Sequence, residues 1–239
     1  MRQRNIKNLQ EKLELNSAYL IREPESCRGR WREVFGNDAP IYLEIGCGKG
    51  RFITGCAAAH PERNYIAIEG QSNVALRALE KAAALEQNNL RIVIAYVADL
   101  LAFFAEGELA GIYLNFSDPW PKARHAKRRL TYHKRLENYK QALAGGGAIE
   151  FKTDNDQLFD FTLDEIARAG YEVLALSRDL HGETAEGVEA AAGSAEAAAG
   201  EAAGQFGEAA GQFGEAAGQL TEYEERFMRA GKNINYVKF

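Results

Sequence analysis

A short run centred on an aspartate contains the residues best suited to chemistry. Asp118 stands in Asn115-Phe-Ser-Asp-Pro-Trp-Pro-Lys122, and the apolar residues from Ile112 to Phe116 predict a buried parallel strand. Proline fixes φ and cannot donate a ladder hydrogen bond, so Pro119 and Pro121 must end that strand. The sequence therefore predicts a carboxylate held at the carboxyl end of a strand, where open α/β sheets bind ligands.

A basic tract follows this carboxylate. Five cations lie between Lys122 and Arg129. A carboxylate with a basic rim suits a site that recognises a nucleobase and holds phosphates. The alternative interpretation is a strand end followed by a solvated run of charge.

A glycine-rich turn, Glu44-Ile-Gly46-Cys-Gly48-Lys-Gly50, follows another predicted strand. Its GxGxG spacing departs from the dinucleotide fingerprint, because Arg51 stands where that fingerprint has glycine or alanine. Glu44 can meet an ammonium group, and Glu69 ends the next predicted strand, where an acidic side chain bonds ribose hydroxyls. Carboxylates repel a pyrophosphate and attract a sulfonium or ammonium. The turn therefore favours S-adenosylmethionine over NAD.

Tyr96 and Asp99, at the end of the third predicted strand and just after it, are candidates for contact with an adenine ring. Asp99 is the nearest carboxylate, and Tyr96 can act instead by stacking or through its hydroxyl. The sequence leaves this choice open.

Alternating strands and helices must position these groups. Strands are predicted over 40–45, 65–68, 90–97, 112–116, 148–151, 171–176 and 234–239. Helices are predicted over 6–20, 51–60, 71–85, 131–143 and 156–169, with the glycines at 145–147 closing the fourth. This alternation predicts an α/β fold of the Rossmann-like class, with a mostly parallel seven-stranded sheet and helices on both faces.

Composition divides the 239 residues into regions. Residues 1–38 are predicted to form a basic arm, with Arg2, Arg4 and Lys7, and helices; residues 39–239 form the main domain. An Ala/Gly/Glu-rich insertion at about 182–219 repeats Glu-Ala-Ala-Gly-Gln-Phe-Gly from 201 and from 208. The insertion has seven glutamates and no Lys, Arg or Asp, so the rest of the chain is weakly basic despite a net charge of −5.

Other features of the composition limit the location and the chemistry. No apolar run is long enough to span a bilayer and no secretory leader is evident, so we expect a cytoplasmic protein without a membrane partner. The three cysteines lack metal-site spacing, which predicts free thiols and no metal. A monomer or a homodimer fits the sequence equally well.

Five motifs together resemble the bacterial tRNA (guanine-N7)-methyltransferases, which are class I, S-adenosylmethionine-dependent enzymes. They are Glu44-Ile-Gly-Cys-Gly-Lys-Gly50, Asn115-Phe-Ser-Asp-Pro-Trp-Pro-Lys122, Arg124-His-Ala-Lys-Arg-Arg-Leu-Thr131, Phe151-Lys-Thr-Asp-Asn155 and Thr221-Glu-Tyr-Glu224. The resemblance implies methyl transfer to N7 of a guanine in the variable loop of tRNA. The chain departs from the family at Tyr96, where an acidic or amide residue is expected, and at the insertion.

The resemblance also carries roles onto matching positions. Glu44, Glu69 and Asp118 match cofactor contacts, and Asp118 also belongs to the implied catalytic pocket. The residues implied to meet the target nucleotide are Lys122, Asp154, Thr221, Glu222, Tyr223 and Glu224. The residues implied to contact RNA are Arg124, His125, Lys127, Arg128 and Arg129.

Three other functions compete with this prediction. A non-catalytic tRNA-binding protein is disfavoured by the intact Glu44, Glu69, Asp118 and turn glycines. A small-molecule methyltransferase has no need of the basic tract. An NAD-dependent enzyme is disfavoured by the glycine spacing.

Overall fold

The computed structural model describes residues 6–181 and 220–239, which fall into two compact units. The first unit extends to Asn115 and includes Glu137–Ala148; the second comprises Phe116–Leu136 and the described residues from Ile149 onward. Arg2, Arg4 and the predicted insertion lie outside the described residues, and the boundary after residue 38 stays a prediction.

Five strands form the sheet of the first unit. They are β1 (Leu20–Ile21), β2 (Ile41–Ile45), β3 (Asn64–Glu69), β4 (Leu90–Ile94) and β5 (Leu109–Asn115). Their order is β1-β4-β3-β2-β5, and every neighbouring pair is parallel. The central strands are apolar and almost wholly buried, as parallel strands covered on both faces require.

Helices pack against these strands through apolar stripes. The first unit contains α1 (Leu9–Leu15), α2 (Trp31–Phe35), α3 (Arg51–Ala59) and α4 (Ser72–Ala84). In α4 the buried residues recur at helical spacing: Val74, Ala75, Leu76, Ala78, Leu79 and Ala82. The α/β alternation predicted from the sequence is therefore present.

Polar side chains collect at the carboxyl edge of this sheet. Glu44 is paired in register with Ala67 of β3 and Tyr113 of β5. Glu69 is the last residue of β3, and Asn115 is the last residue of β5. Because carboxyl ends of parallel strands share one edge, three adjacent strands deliver these groups to the same place.

The second unit contains antiparallel strand pairs. Its strands are the end of β6 (Leu143–Thr153), β7 (Ala175–Ser177) and β8 (Asn235–Lys238), and β8 is antiparallel to both neighbours. Its described α-helices are α6 (Asp156–Arg168) and α7 (Glu222–Arg229), whereas α5 (His133–Ala142) begins in this unit and belongs mostly to the first. Asn155 caps α6, because its side-chain oxygen accepts a hydrogen bond from Leu158 N at 2.8 Å.

Several predicted boundaries were wrong. The described residues contain eight strands where seven were predicted, since β1 replaces the end of a helix that stops at Leu15. The glycines at 145–147 lie inside β6 and do not close α5, which ends at Ala142. A Cβ on Gly147 would lie 3.0 Å from the carbonyl oxygen of Ala110, so close backbone approach accounts for that glycine.

In the part of the chain that the structure describes, no helix combines the length and the apolar character needed to cross a membrane.

Gly50 provides a test of the packing between α3 and α4. Its φ is +76°, and a Cβ there would lie 2.5 Å from Ala78 Cβ. Gly50→Ala should therefore lose roughly 2–5 kcal/mol of unfolding free energy in urea titrations, combining left-handed strain with overpacking.

Gly36→Ala is the matched control. Gly36 has a φ of +70°, and no described heavy atom lies within 4 Å of its Cβ position. Gly36→Ala therefore adds only backbone strain, and its loss of unfolding free energy should be roughly 1–2 kcal/mol. Equal losses for the two variants would contradict close packing at Gly50.

Candidate active site

Glu44 is a buried carboxylate in the first unit. Its side chain is only 2% exposed, and its Oε1 accepts a hydrogen bond from Asn115 Nδ2 at 2.9 Å. A carboxylate at this depth needs compensating partners, and the strand end of β5 supplies one. The contact fixes the orientation of Glu44 at the carboxyl edge.

Glu69 links two backbone segments of the same unit. Its Oε2 accepts from Gly48 N at 3.1 Å and its Oε1 accepts from Gln71 N at 2.9 Å. Both oxygens are therefore oriented by backbone N–H groups, and each keeps a further lone pair for a ligand. The side chain is partly exposed, so these lone pairs are accessible.

The three glycines of the turn differ in environment. Gly46 and Gly48 have φ values of +81° and +57°, and a Cβ at either position would meet no described heavy atom within 4 Å. Gly50 faces Ala78. The first two glycines thus border open space that a ligand can enter, whereas the third allows α3 to approach α4.

The thiol of Cys47 reports the electrostatic field at this turn. Burial raises the pKa of Cys47 well above its usual range, and the negative charges of Glu44 and Glu69 raise it further. A field that opposes a thiolate favours a cation at the same place. The turn is therefore suited to a positively charged ligand group.

Tyr96 and Asp99 have distinct surroundings. Asp99 Oδ1 accepts from Leu101 N at 3.0 Å and from Asn138 Nδ2 at 2.7 Å, so it caps a short 3₁₀ helix. Tyr96 is 80% exposed, and its ring lies against the backbone of Gly70, where a Cβ would collide with it. Both residues are exposed, but the Asp99 carboxylate is engaged in the cap, whereas Tyr96 lies beside the residue that follows Glu69.

The turn carrying Asp118 belongs to the second unit and has an unusual backbone. Two of the four described non-glycine residues with positive φ flank it, Phe116 at 49° and Trp120 at 41°. The prediction that Phe116 lies in the strand was wrong, because its left-handed φ ends β5 at Asn115. Asp118 itself is exposed. Strained backbone of this kind persists only where surrounding contacts enforce it.

Arg129 supplies those contacts. Its Nε donates to Pro119 O at 3.0 Å and its Nη2 donates to Trp120 O at 3.1 Å. The guanidinium lies 4.2 Å from the centroid of the Phe161 ring. The planar guanidinium thus binds two successive backbone carbonyls through two of its N–H groups, so Arg129 braces the turn.

The remaining cations of the basic tract are more accessible. Lys122, Arg124, Lys127 and Arg128 are exposed, within or next to a 3₁₀ helix over Ala123–Arg128. Arg128 lies 4.8 Å above the Trp120 ring, and His125 meets that ring edge-on at 5.7 Å. The tract therefore presents several cations to solvent and one, Arg129, to the turn.

Asp154 lies in a polar cleft of the second unit. Its Oδ2 is 3.4 Å from Lys232 Nζ, an ion pair that is partly exposed. The cleft measures about 500 Å³ and is lined by Asp154, Asp156, Arg178, Lys232, Asn233 and Asn235. Carboxylate, amide and cationic groups are thus available to one ligand.

Thr221 and Glu224 form a capping box at the start of α7. Glu224 N donates to Thr221 Oγ1 at 2.8 Å, and Thr221 N donates to Glu224 Oε2 at 3.2 Å. Glu224 is fully buried, 3.2 Å from Lys152 Nζ and 2.9 Å from His181 Nε2. On the same helix Glu222 is half-buried, and Tyr223 is 57% exposed.

Sequence reasoning does not find three residues that organise these groups. Asn115 orients Glu44, Lys152 pairs with Glu224, and Arg129 braces the Asp118 turn although the resemblance assigns it to RNA. No local signal marks Lys152, since residues 149–153 alternate apolar and polar side chains and this pattern predicts a solvent-facing lysine. Within residues 6–181 and 220–239 no group of three or more His, Cys, Asp or Glu could hold a metal ion.

Comparison with known proteins identifies the family. A family model described as "Putative methyltransferase" matches residues 38–209. A tRNA (guanine-N(7)-)-methyltransferase of Streptococcus mutans is 41% identical over 238 residues, covering 100% of this chain and 99% of the relative. The chain belongs to this tRNA (guanine-N7)-methyltransferase family. The family's enzyme from Lactococcus lactis subsp. cremoris is 49% identical over 76% of this chain and 83% of its own length.

Solved structures support the methyltransferase fold. An antibiotic-related methyltransferase has a TM-score of 0.54 at 14% identity, covering 88% of this chain and 91% of its own. The 16S rRNA methyltransferase KamB has the same TM-score at 10% identity, with the same coverage. At these identities the likeness establishes an α/β Rossmann-like methyltransferase fold, as the sequence predicted.

The negative field at the turn can be measured through Cys47. In a Cys27→Ser/Cys56→Ser background, we expect Cys47 to react with a disulfide reagent at less than about a tenth of the rate of free cysteine near pH 8. Glu69→Gln should raise that rate several-fold, because one of the charges that raises the pKa of Cys47 is removed.

Glu62→Gln is the control, because Glu62 is an exposed carboxylate of the same unit. It should leave the rate unchanged. If Glu69→Gln also left the rate unchanged, Glu69 would not contribute to the field at Cys47.

Proposed function

We propose that this chain transfers a methyl group from S-adenosylmethionine to N7 of a guanine in the variable loop of tRNA. The observation that carries the proposal is the 41% identity with an enzyme of that name over the whole chain. The braced Asp118 turn, with exposed cations immediately after it, supports the same conclusion.

The residues of the first unit fit such a cofactor. S-adenosylmethionine supplies an electrophilic methyl group on a positively charged sulfonium. Glu44 and Glu69 provide the negative field that favours this cation, and Gly46 and Gly48 border space that any Cβ would enter. Glu69 retains lone pairs for ribose hydroxyls, and the exposed ring of Tyr96 is better placed than the capping residue Asp99 to meet an adenine.

Asp118 is proposed as the catalytic residue. Guanine N7 carries a lone pair and no proton, so its attack on a methyl carbon needs alignment and does not require a general base. The purine becomes positively charged during the transfer. The Asp118 carboxylate can stabilise that charge and accept hydrogen bonds from N1–H and the exocyclic amine, which is electrostatic catalysis by a preorganised group.

The other matched residues divide into two roles. Lys122, Asp154 and Tyr223 have surface that a nucleotide can contact, and Asp154 can accept hydrogen bonds. Thr221 and Glu224 are buried in the capping box, so we assign them to holding α7 and Tyr223 in place. Arg124, His125, Lys127 and Arg128 are proposed to hold phosphates of the surrounding RNA.

One experiment tests the activity directly. The protein is incubated with methyl-labelled S-adenosylmethionine and an unmodified tRNA transcript, and the label is located by cleavage chemistry selective for 7-methylguanine. We expect a single cleavage in the variable loop. Labelling at another base or atom would overturn the proposed reaction.

Replacement of the Asp118 carboxylate by an amide should impair catalysis and not cofactor binding. Asp118→Asn should lower kcat by about 10²-fold or more, because an amide cannot stabilise positive charge on the purine. Affinity for S-adenosylmethionine, measured by calorimetry, should change only a few-fold. Asp164→Asn, which alters an exposed carboxylate on α6, serves as the control. Near-normal turnover of Asp118→Asn would refute the assignment.

The salt dependence of tRNA binding should distinguish the exposed cations of the tract from Arg129, which braces the turn. Arg124→Ala/Lys127→Ala should weaken tRNA binding and lower the slope of log K against log[salt] by about 0.7–0.9 for each phosphate that is no longer neutralised. Arg129→Ala should leave that slope unchanged and lower kcat by roughly 10-fold or more, since the Asp118 turn loses its brace. A reduced slope for Arg129→Ala would place Arg129 on the RNA instead.

A further inference from the structure

Three aromatic rings form a cluster beside the Asp118 turn, within the second unit. Phe116 precedes Asp118 by two residues, and its ring centroid is 6.3 Å from Tyr223 and 5.9 Å from Phe227. Tyr223 and Phe227 are 6.3 Å apart with an interplanar angle of 27°. We call these three residues the ring cluster.

The ring cluster is held by the backbone and the buried ion pair. Phe116 N donates to Lys152 O at 2.9 Å, which fixes Phe116 in its left-handed conformation. Lys152 Nζ pairs with Glu224, which lies on α7 between Tyr223 and Phe227. Lys152 of β6 therefore holds both segments that bear the rings: the backbone at Phe116 and helix α7. A bulky residue held at positive φ is unusual, and such strain is concentrated at functional sites.

The ring cluster is accessible to a ligand. Tyr223 is 57% exposed, whereas core aromatic residues of this chain, such as Phe151 and Phe159, are fully buried. Phe116 and Phe227 are half-buried, so the cluster offers ring surface to solvent. Neighbouring aromatic rings that stay exposed in a folded protein mark a candidate binding surface, because burying them against a partner is favourable.

The polar groups at its margin indicate what covers it. Lys232 Nζ lies 5.0 Å above the Phe227 ring and 3.4 Å from the Asp154 carboxylate. A group of accessible aromatic rings with a neighbouring cation and hydrogen-bond acceptor matches a nucleotide, whose base stacks while its phosphate meets the cation. An apolar protein partner has no use for the Asp154–Lys232 pair.

We propose that Phe116, Tyr223 and Phe227 form a stacking platform for the purine base that is methylated. The proposal rests on the proposed function and adds the means by which the target base is held: base-to-ring stacking in the second unit. N7 lies on the Hoogsteen edge, so a base engaged in tRNA tertiary structure must leave its stack to react. The platform replaces the stacking that the base gives up.

The test uses unmodified tRNA in which 2-aminopurine replaces the guanine that the wild-type protein methylates. Extruded 2-aminopurine fluoresces unless it stacks on an aromatic ring. At saturating wild-type protein the fluorescence should stay low, and Tyr223→Leu and Phe227→Leu should each raise it several-fold. For tRNA with guanine, both variants should weaken binding by about 5- to 100-fold.

Control variants separate stacking from general damage. Tyr223→Phe restores the ring and should restore low fluorescence, whereas Tyr19→Leu removes a half-buried ring outside the cluster and should have no effect. Cofactor affinity should be unchanged in both leucine variants of the cluster. If Tyr223→Leu and Phe227→Leu both showed the same 2-aminopurine fluorescence and tRNA affinity as the wild-type protein, the proposal of a stacking platform would be overturned. The proposed function is tested separately, because it fails only if the wild-type protein does not methylate guanine N7.

Discussion

The geometry of the second unit depends on the buried ion pair between Lys152 and Glu224. Both side chains are almost completely excluded from solvent, and the loss of either partner of such a pair typically costs about 3–5 kcal/mol because the other charge stays buried. Glu224 also closes the capping box of α7, while the carbonyl of Lys152 accepts the Phe116 N–H. The pair therefore couples the start of α7 to the backbone that leads into Asp118.

A different constraint governs the first unit. Parallel strands present their carboxyl ends at one edge, and here β2, β3 and β5 bring Glu44, Glu69 and Asn115 to it. The two carboxylates are oriented by the Asn115 amide and by backbone N–H groups. The negative charge at the glycine turn thus follows from the sheet, and it favours positive charge in any group bound there.

Much of this arrangement could be predicted from the sequence, because local patterns determine it. Apolar runs located β2, β3 and β5, and the glycine spacing located the turn. Contacts between distant residues could not be predicted: nothing local to Arg129 shows that it faces two carbonyls and not solvent. Apolar character alone places Phe116 in a strand, whereas its positive φ depends on the carbonyl of Lys152, which is distant in the sequence. The glycines at 145–147 resemble a helix stop in the sequence, because the close approach of Gly147 to Ala110 is a tertiary contact that no local pattern shows.

The raised pKa of Cys47 has a chemical consequence for the cell. Peroxide oxidises a thiolate to a sulfenic acid and reacts poorly with a protonated thiol. Cys47 is buried and keeps its proton beside Glu44 and Glu69. The glycine turn can therefore contain a cysteine whose reactive thiolate form is disfavoured both by burial and by the two neighbouring carboxylates.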